Sequence, residues 1–266
     1  MKRTLFASVA IAIAIAVAGS ASPGRASVVS ASSGDNQSLV VLQSGVADAV
    51  GFVGQPVVQE NGGGGGNVIT ITQSGVGSIV ALQQTGAFNG VAAGLVSSVA
   101  QSADSSSIAI VQNGDGNGFQ VTQAGSANAL SLSQQGAANT AKLSQAGSAQ
   151  SITVQQSGAN NEVDASQTGS GQFLLAAQTG DGNLLVSSQS GADNSLATTQ
   201  TGKSNAIYAT QAGTALYASL TQNGNDNMIS GVQSGDHNSA TVTQLSNGNT
   251  AVYTQQGSGA VLTLRQ

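Results

Sequence analysis

From position 101 onward every eleventh residue is glutamine: Gln101, Gln112, Gln123, Gln134, Gln145, Gln156, Gln167, Gln178, Gln189, Gln200, Gln211, Gln222, Gln233, Gln244, Gln255 and Gln266. Two residues after the Gln stands a glycine in thirteen of fifteen cases: Gly114, Gly125, Gly136, Gly147, Gly158, Gly169, Gly180, Gly191, Gly202, Gly213, Gly224, Gly235 and Gly257. Ala103 and Ser246 are the exceptions. Five residues after the Gln stands an asparagine in ten cases: Asn117, Asn128, Asn139, Asn161, Asn183, Asn194, Asn205, Asn227, Asn238 and Asn249. Gln150 and Gln172 take that place in two more. So strict a period is the mark of a repeat architecture, in which identical units stack.

Inside a unit the period is two. Asn128, Leu130, Leu132 and Gln134 alternate with Ala129, Ser131 and Ser133. That is a strand with one face inward, and the inward set is Asn, apolar, apolar, Gln. Four residues with Gly second, such as Ala124-Gly125-Ser126-Ala127, separate Gln from the next Asn. Gly supplies the positive φ that a tight reversal needs. The expected unit is therefore a strand of about seven residues and a four-residue bend. Two units make a 22-residue coil with two facing strands, an all-β, two-sided β-solenoid of parallel stacked β-arches. Each strand then pairs with the strand 22 residues away, ~4.8 Å along the axis, and inward amides stack into ladders. Such a coil places Lys142 beside Asp164, with Glu162 close by.

Charged residues are only 6% and aromatics 3% of the 266, and there is no cysteine. A chain so polar has no large oily core to build, and it must gain stability from repeated short-range stacking. Without Cys it has neither disulfides nor thiolate metal sites.

The N-terminus reads as a secretory leader over residues 1–26, with Lys2 and Arg3 ahead of an apolar run from Leu5 to Ala18 and cleavage after Ala21 or Ala26. The run is too short for a comfortable membrane span. Removing the leader leaves three basic residues against eleven acidic ones, a net charge of −8. That balance excludes a basic nucleic-acid footprint. The reading expects an exported chain that is not embedded in a membrane. Residues 27–100 carry a frayed version of the repeat: Gln37, Leu39, Val41 and Gln43; Asn67, Ile69, Ile71 and Gln73; Ser78, Val80, Leu82 and Gln84; and the start of another at Asn89, Val91 and Ala93. A Gly-rich insertion at about 55–66, with Pro56 and Gly62 to Gly66, reads as a flexible loop, and a second interruption as the stretch 94–100. Residues 101–266 form the regular part.

No catalytic, cofactor or metal site emerges. His237 is the sole histidine and sits in a bend beside Asp236. The Asp residues at 115 and 181 lie in Gly-rich loops that lack the terminal bidentate Glu of a calcium loop. Glu162 and Asp164 share a strand face, but an exposed wall has nothing to raise one pKa, so no hydrolytic pair follows. The bend residues Asp48, Asp104, Asp115, Asp181, Asp193, Asp226 and Asp236 read in two ways. They are gatekeepers whose stacked charges slow association, or residues that simply suit turns. Phe173 and Leu175 on one face, and Leu184, Val186, Tyr208 and Val252 on the other, are outward apolar residues.

The repeat Gln123-Ala-Gly125-Ser-Ala-Asn128-Ala-Leu130-Ser-Leu-Ser-Gln134 resembles the curlin repeat. The resemblance is regular over 101–266 and looser over about 37–93. Curlins are subunits of curli fimbriae, extracellular amyloid fibres of bacteria. The resemblance implies secretion through a dedicated outer-membrane pore, nucleated polymerisation at the cell surface with a nucleator subunit, and roles in adhesion and biofilm matrix. The chain has more repeats than a familiar curlin, and its Gly-rich insertion is a departure. On the residues themselves, soluble solenoids carry polar caps on their terminal repeats, and none is evident in the last strand. The expectation is end-to-end self-association of copies of this chain. The alternative is a secreted β-solenoid adhesin or binding module that stays monomeric.

Overall fold

Hydrophobic alternation at period two and glycine at period eleven give strand after strand, with no helix between them among the described residues. The structure is a computed structural model. It describes residues 67–90 and 97–266, and ahead of them the backbone of the strands Ala12–Val17, Ser27–Val28, Ser30–Ser33, Ser38–Val46, Ala49–Val50 and Val57–Glu60. The strands fall into two parallel sheets, of 11 and 13 strands. From Val68 onward successive strands alternate between the sheets, so the chain winds as a two-sided β-solenoid. In the first sheet Gly118–Ser126 pairs with Thr140–Ser148, which pairs with Glu162–Ser170. In the second, Ala129–Ala137 pairs with Ser151–Ala159, which pairs with Phe173–Asp181. The offset is 22 residues, as in Gln123↔Gln145 and Gln134↔Gln156.

The regular strands run nine residues, not seven, and include the glycine that follows the Gln. The bend proper is shorter than the sequence suggests, because the glycine stays extended within the stack. At Gly147, φ is +136°, and an added Cβ would collide with the carbonyl oxygen of Gly169 in the next coil. The glycine column thus serves a close approach of backbones as well as the turn. A second positive-φ position lies two residues further on, and here side chains are tolerated: Ala127, Ala138, Ala149, Asn160, Asp193, Ser204, Ala215, Asp226 and His237 all have φ of 53–57°.

Inward residues fill the space between the sheets. Phe119, Ile152, Leu174, Leu185, Leu196 and Ile207 are fully buried, each contributing roughly 1.5–3 kcal/mol by transfer out of water. One inward column of the first sheet narrows through Ala165, Ser187 and Ala209 to Gly231. The ring of Tyr253 then lies over Gly231, where an added Cβ would strike it.

Two interruptions depart from the sequence reading. Gln73 and Gln101 stack although they are 28 residues apart. The six extra residues, 91–96, lie between Gly90 and Ser97, whose N–H donates to the Gly90 carbonyl across the neck at 2.9 Å. The interruption therefore falls earlier than 94–100. Ser98–Asp104 is a strand with Val99 buried, and it completes the unit that Asn89 begins. Val91 and Ala93, expected inward, are outside the described residues. The 55–66 insertion contains a strand, Val57–Glu60, paired with Ser30–Ser33. The β-branched pair Val57-Val58 favours extension directly after Pro56. The run Gly62 to Gly66 is outside the described residues. Ala12–Val17, within the leader candidate, is extended and pairs with Ser38–Val46. Its Ala/Ile alternation suits a strand as well as an apolar leader. Among the described residues no helix is long and apolar enough to cross a membrane.

Candidate functional site: the stacked amide columns

Each strand delivers its Gln to the end of the inward face, just before the bend, where two glutamines per coil are buried. In the first sheet the side chains form an unbroken ladder. Gln73 donates through Nε2 to Oε1 of Gln101, and the pattern repeats through Gln123, Gln145, Gln167, Gln189, Gln211 and Gln233 to Gln255, at 2.7–3.1 Å. In the second sheet the same ladder runs from Gln84 through Gln112, Gln134, Gln156, Gln178, Gln200, Gln222 and Gln244 to Gln266. Every link points the same way, each Gln donating to the one in the next coil. The Nε2 group also reaches backbone: Gln145 donates to the Ala129 carbonyl and Gln178 to those of Glu162 and Asn183. The Gln therefore ties coil to coil and sheet to sheet at once. A buried amide left unpaired costs roughly 1–3 kcal/mol, so the ladder holds the register firmly.

The asparagines act differently. At the edge where the chain passes from the second sheet to the first, Asn67, Asn89, Asn117, Asn139, Asn161, Asn183, Asn205, Asn227 and Asn249 stack without a gap. Each Oδ1 accepts the backbone N–H of the next Asn in the column, as in Asn139 N to Asn117 Oδ1 at 3.0 Å. From Asn139 to Asn227 each Nδ2 also donates to the preceding Oδ1. Asn117 Nδ2 donates to the Gly136 carbonyl, and the same bond recurs at Asn139, Asn161, Asn183 and Asn205.

The opposite edge carries Ser78, Ser106, Asn128, Gln150, Gln172, Asn194, Leu216, Asn238 and Ala260. Here Asn128, Asn194 and Asn238 do not meet one another. Their Oδ1 atoms accept from the backbone of Gln150, Leu216 and Ala260. Gln150 and Gln172 keep the donor half of the pattern, Gln150 Nε2 reaching Ala146 and Gly169 carbonyls. Their Oε1 atoms are buried without a partner. One added methylene carries the carbonyl past the N–H that Asn would engage.

The bend carboxylates occupy two kinds of place. Asp104, Asp115 and Asp181 accept the backbone N–H of Val76, Ala87 and Ala159 in the preceding coil. Asp193 and Asp226 sit at positive φ. Asp236 is exposed at the end of its strand. Asp181 also lies 3.4 Å from Lys203 of the next coil, and Lys142 lies 3.7 Å from Asp164, as a 22-residue coil requires. Both pairs are open to solvent and contribute at most ~1 kcal/mol each. His237 is exposed at a positive-φ bend position, and among the described residues no group of three potential metal ligands occurs. Sequence reasoning missed the acceptor role of the Asn column. Its signal was there: Asn is unbroken at one edge and replaced at the other.

Residues 191–224 match the family model of the curlin associated repeat. No curated protein matches the chain.

Proposed function

We propose that this curlin-type repeat protein is a structural subunit of an extracellular fibre, built by copies of the chain that continue one another's coils. The observation that carries the reading is the polarity and constancy of the ladders. Every coil offers Gln Nε2 donors toward one side and Gln Oε1 acceptors toward the other, at the same places, over more than 160 residues. The two flat ends of any coil are therefore complementary, and a coil of a second copy meets the same partners as a coil of the first. Parallel in-register strands with amide ladders are the arrangement of cross-β fibres.

In this reading the leader is removed on export, an outer-membrane pore passes the chain out unfolded, a nucleator copy starts growth, and the fibre serves adhesion and biofilm matrix at the cell surface. The bend aspartates slow association until then. The test is dilution of the chain lacking residues 1–26 from denaturant. It is expected to give fibres that bind thioflavin and diffract with a meridional spacing of ~4.8 Å. A folded chain that stays monomeric for days at micromolar concentration, and binds surfaces in that state, would overturn the fibre in favour of a soluble adhesin.

A further inference from the structure

The outer wall of the second sheet carries a pattern that neither the core nor the ladders require. The first outward column reads Ser151, Phe173, Ser195, Tyr217, Ser239 in successive rungs, held by backbone pairing. The two rings are exposed, Phe173 by 41% and Tyr217 by 45%. They stand two rungs apart, ~9.6 Å at ~4.8 Å per rung, with a serine hydroxyl between them. Beside Tyr217 the wall carries the hydroxyls of Ser219 and Thr221, and beside Phe173 it is apolar, with Leu175 and Ala177; Ala197 and Thr199 lie on the rung between. At the three outward positions ahead of the Gln in each strand this wall has no charged side chain from Ile79 to Thr243, the Asp181–Lys203 pair lying past the glycine at the strand ends, whereas the opposite wall carries Lys142, Glu162 and Asp164 at those positions.

We propose that this wall binds a neutral, extended β-1,4-linked polysaccharide lying along the solenoid axis. In such a polymer alternate sugars turn over, so the same C–H face recurs once per disaccharide, a repeat that matches two rungs. Phe173 and Tyr217 each stack on that recurring face, the sugar between them lays its other C–H face over the small Ser195, and the equatorial hydroxyls at the ribbon's edge reach toward Ser219. Aromatic rings supply apolar contact area, and flanking hydroxyls both donate and accept toward sugar hydroxyls. The absence of charge fits an uncharged polymer and gives an anionic one nothing to pair with.

The test is depletion of the full chain from solution by microcrystalline cellulose and by chitin, with a carboxymethylated cellulose gel as the charged counterpart. The first two arms separate glucan from its N-acetylated analogue. Phe173→Ser and Tyr217→Ser, which extend the serine column, are expected to weaken binding about three- to tenfold each, and the double variant to abolish it. Tyr208→Ser, on the opposite wall, is expected to leave binding within about twofold, taking far less than the loss of one stacked ring as the limit. Phe173→Tyr keeps a ring and is expected to retain binding. Should a serine variant fail to fold, Phe173→Leu and Tyr217→Leu keep apolar bulk without a flat face and are expected to lose binding too. Equal binding by the double variant overturns the proposal, as does equal loss in Tyr208→Ser or stronger binding to the charged gel. Unchanged cellulose binding with lost side-by-side bundling of fibres would reassign the wall to a second copy. Depletion is read on freshly desalted monomer as well as fibre, so it stands or falls separately from self-assembly.

Discussion

The two edges of the solenoid have the same backbone and different side chains. At the edge leading into the first sheet, nine consecutive asparagines pass a hydrogen bond from coil to coil. At the edge leading into the second sheet, the equivalent column is broken by Gln150, Gln172, Leu216 and Ala260. Yet the coil spacing and strand pairing are equally regular on both sides. The glutamine ladders, continuous in both sheets, and the glycine contacts, interrupted only at Ala103 and Ser246 from Gly75 onward, are thus enough to set the coil. The asparagines add stability to one edge.

The largest test copies the defect of one edge into the other. Asn161 accepts from the backbone and side chain of Asn183, and donates to Asn139, Ser157 and Gly180. Asn161→Leu, which transplants the natural Leu216 to the continuous edge, leaves the Asn183 N–H and the Gly180 carbonyl without these partners. A loss of about 3–5 kcal/mol is expected, read from the urea midpoint of the monomer. A loss below ~1 kcal/mol would mean that the Asn column is ornamental. Asn161→Gln is milder. Gln150 shows that a Gln here keeps its donor bonds while its carbonyl misses the backbone N–H of the next coil, so about 2 kcal/mol is expected.

This difference also marks what the sequence could and could not reveal. Period, strand polarity, coil length and the Gln ladder were legible because they depend on spacing and on one repeated residue type. Lys142 beside Asp164 follows from the same arithmetic. The inequivalence of Asn and Gln five places on left one trace, the unbroken Asn column at a single edge, but residue class alone treats both as amides and gives that trace no meaning. What separates them is one methylene of reach toward a backbone N–H. The positive φ two residues after the glycine was hidden for a related reason. Ala127, Ala138, Ala149 and Ala215 occupy it against their own preference, so composition gives no warning. The place of the 91–96 insertion was obscured because Val99 and Gln101 belong to a unit whose Asn lies before it.

If amides and not the core distinguish the edges, alkali separates the two contributions. Amide columns do not titrate. Tyr253, buried over Gly231, has its hydroxyl pushed up to about 12 by desolvation. Its neutral form is favoured by the fold, so the contribution is complete below pH 10 and declines as pH rises from 10 through 12. On the order of 1 kcal/mol should be gone by pH 11. Tyr253→Phe should flatten that decline without altering the effect of Asn161→Gln. A change in both would show that core and edge are coupled. The reciprocal repair is smaller. Gln150→Asn and Gln172→Asn each remove an orphaned carbonyl from the broken edge, and should stabilise by about 1 kcal/mol, more together than singly.

The smallest effect is the control on the backbone itself. Ala138 belongs to the continuous edge and Ala149 to the broken one, and their φ values are 55° and 54°. A left-handed alanine costs roughly 1–2 kcal/mol, part of which glycine gives back through its freer unfolded chain, leaving a net gain of about 0.5 kcal/mol. Ala138→Gly and Ala149→Gly should therefore raise the urea midpoint by the same small amount. Equal gains would show that the bends are one backbone structure, so that whatever separates the edges resides in their amides. A gain at one edge only would place the difference in the backbone.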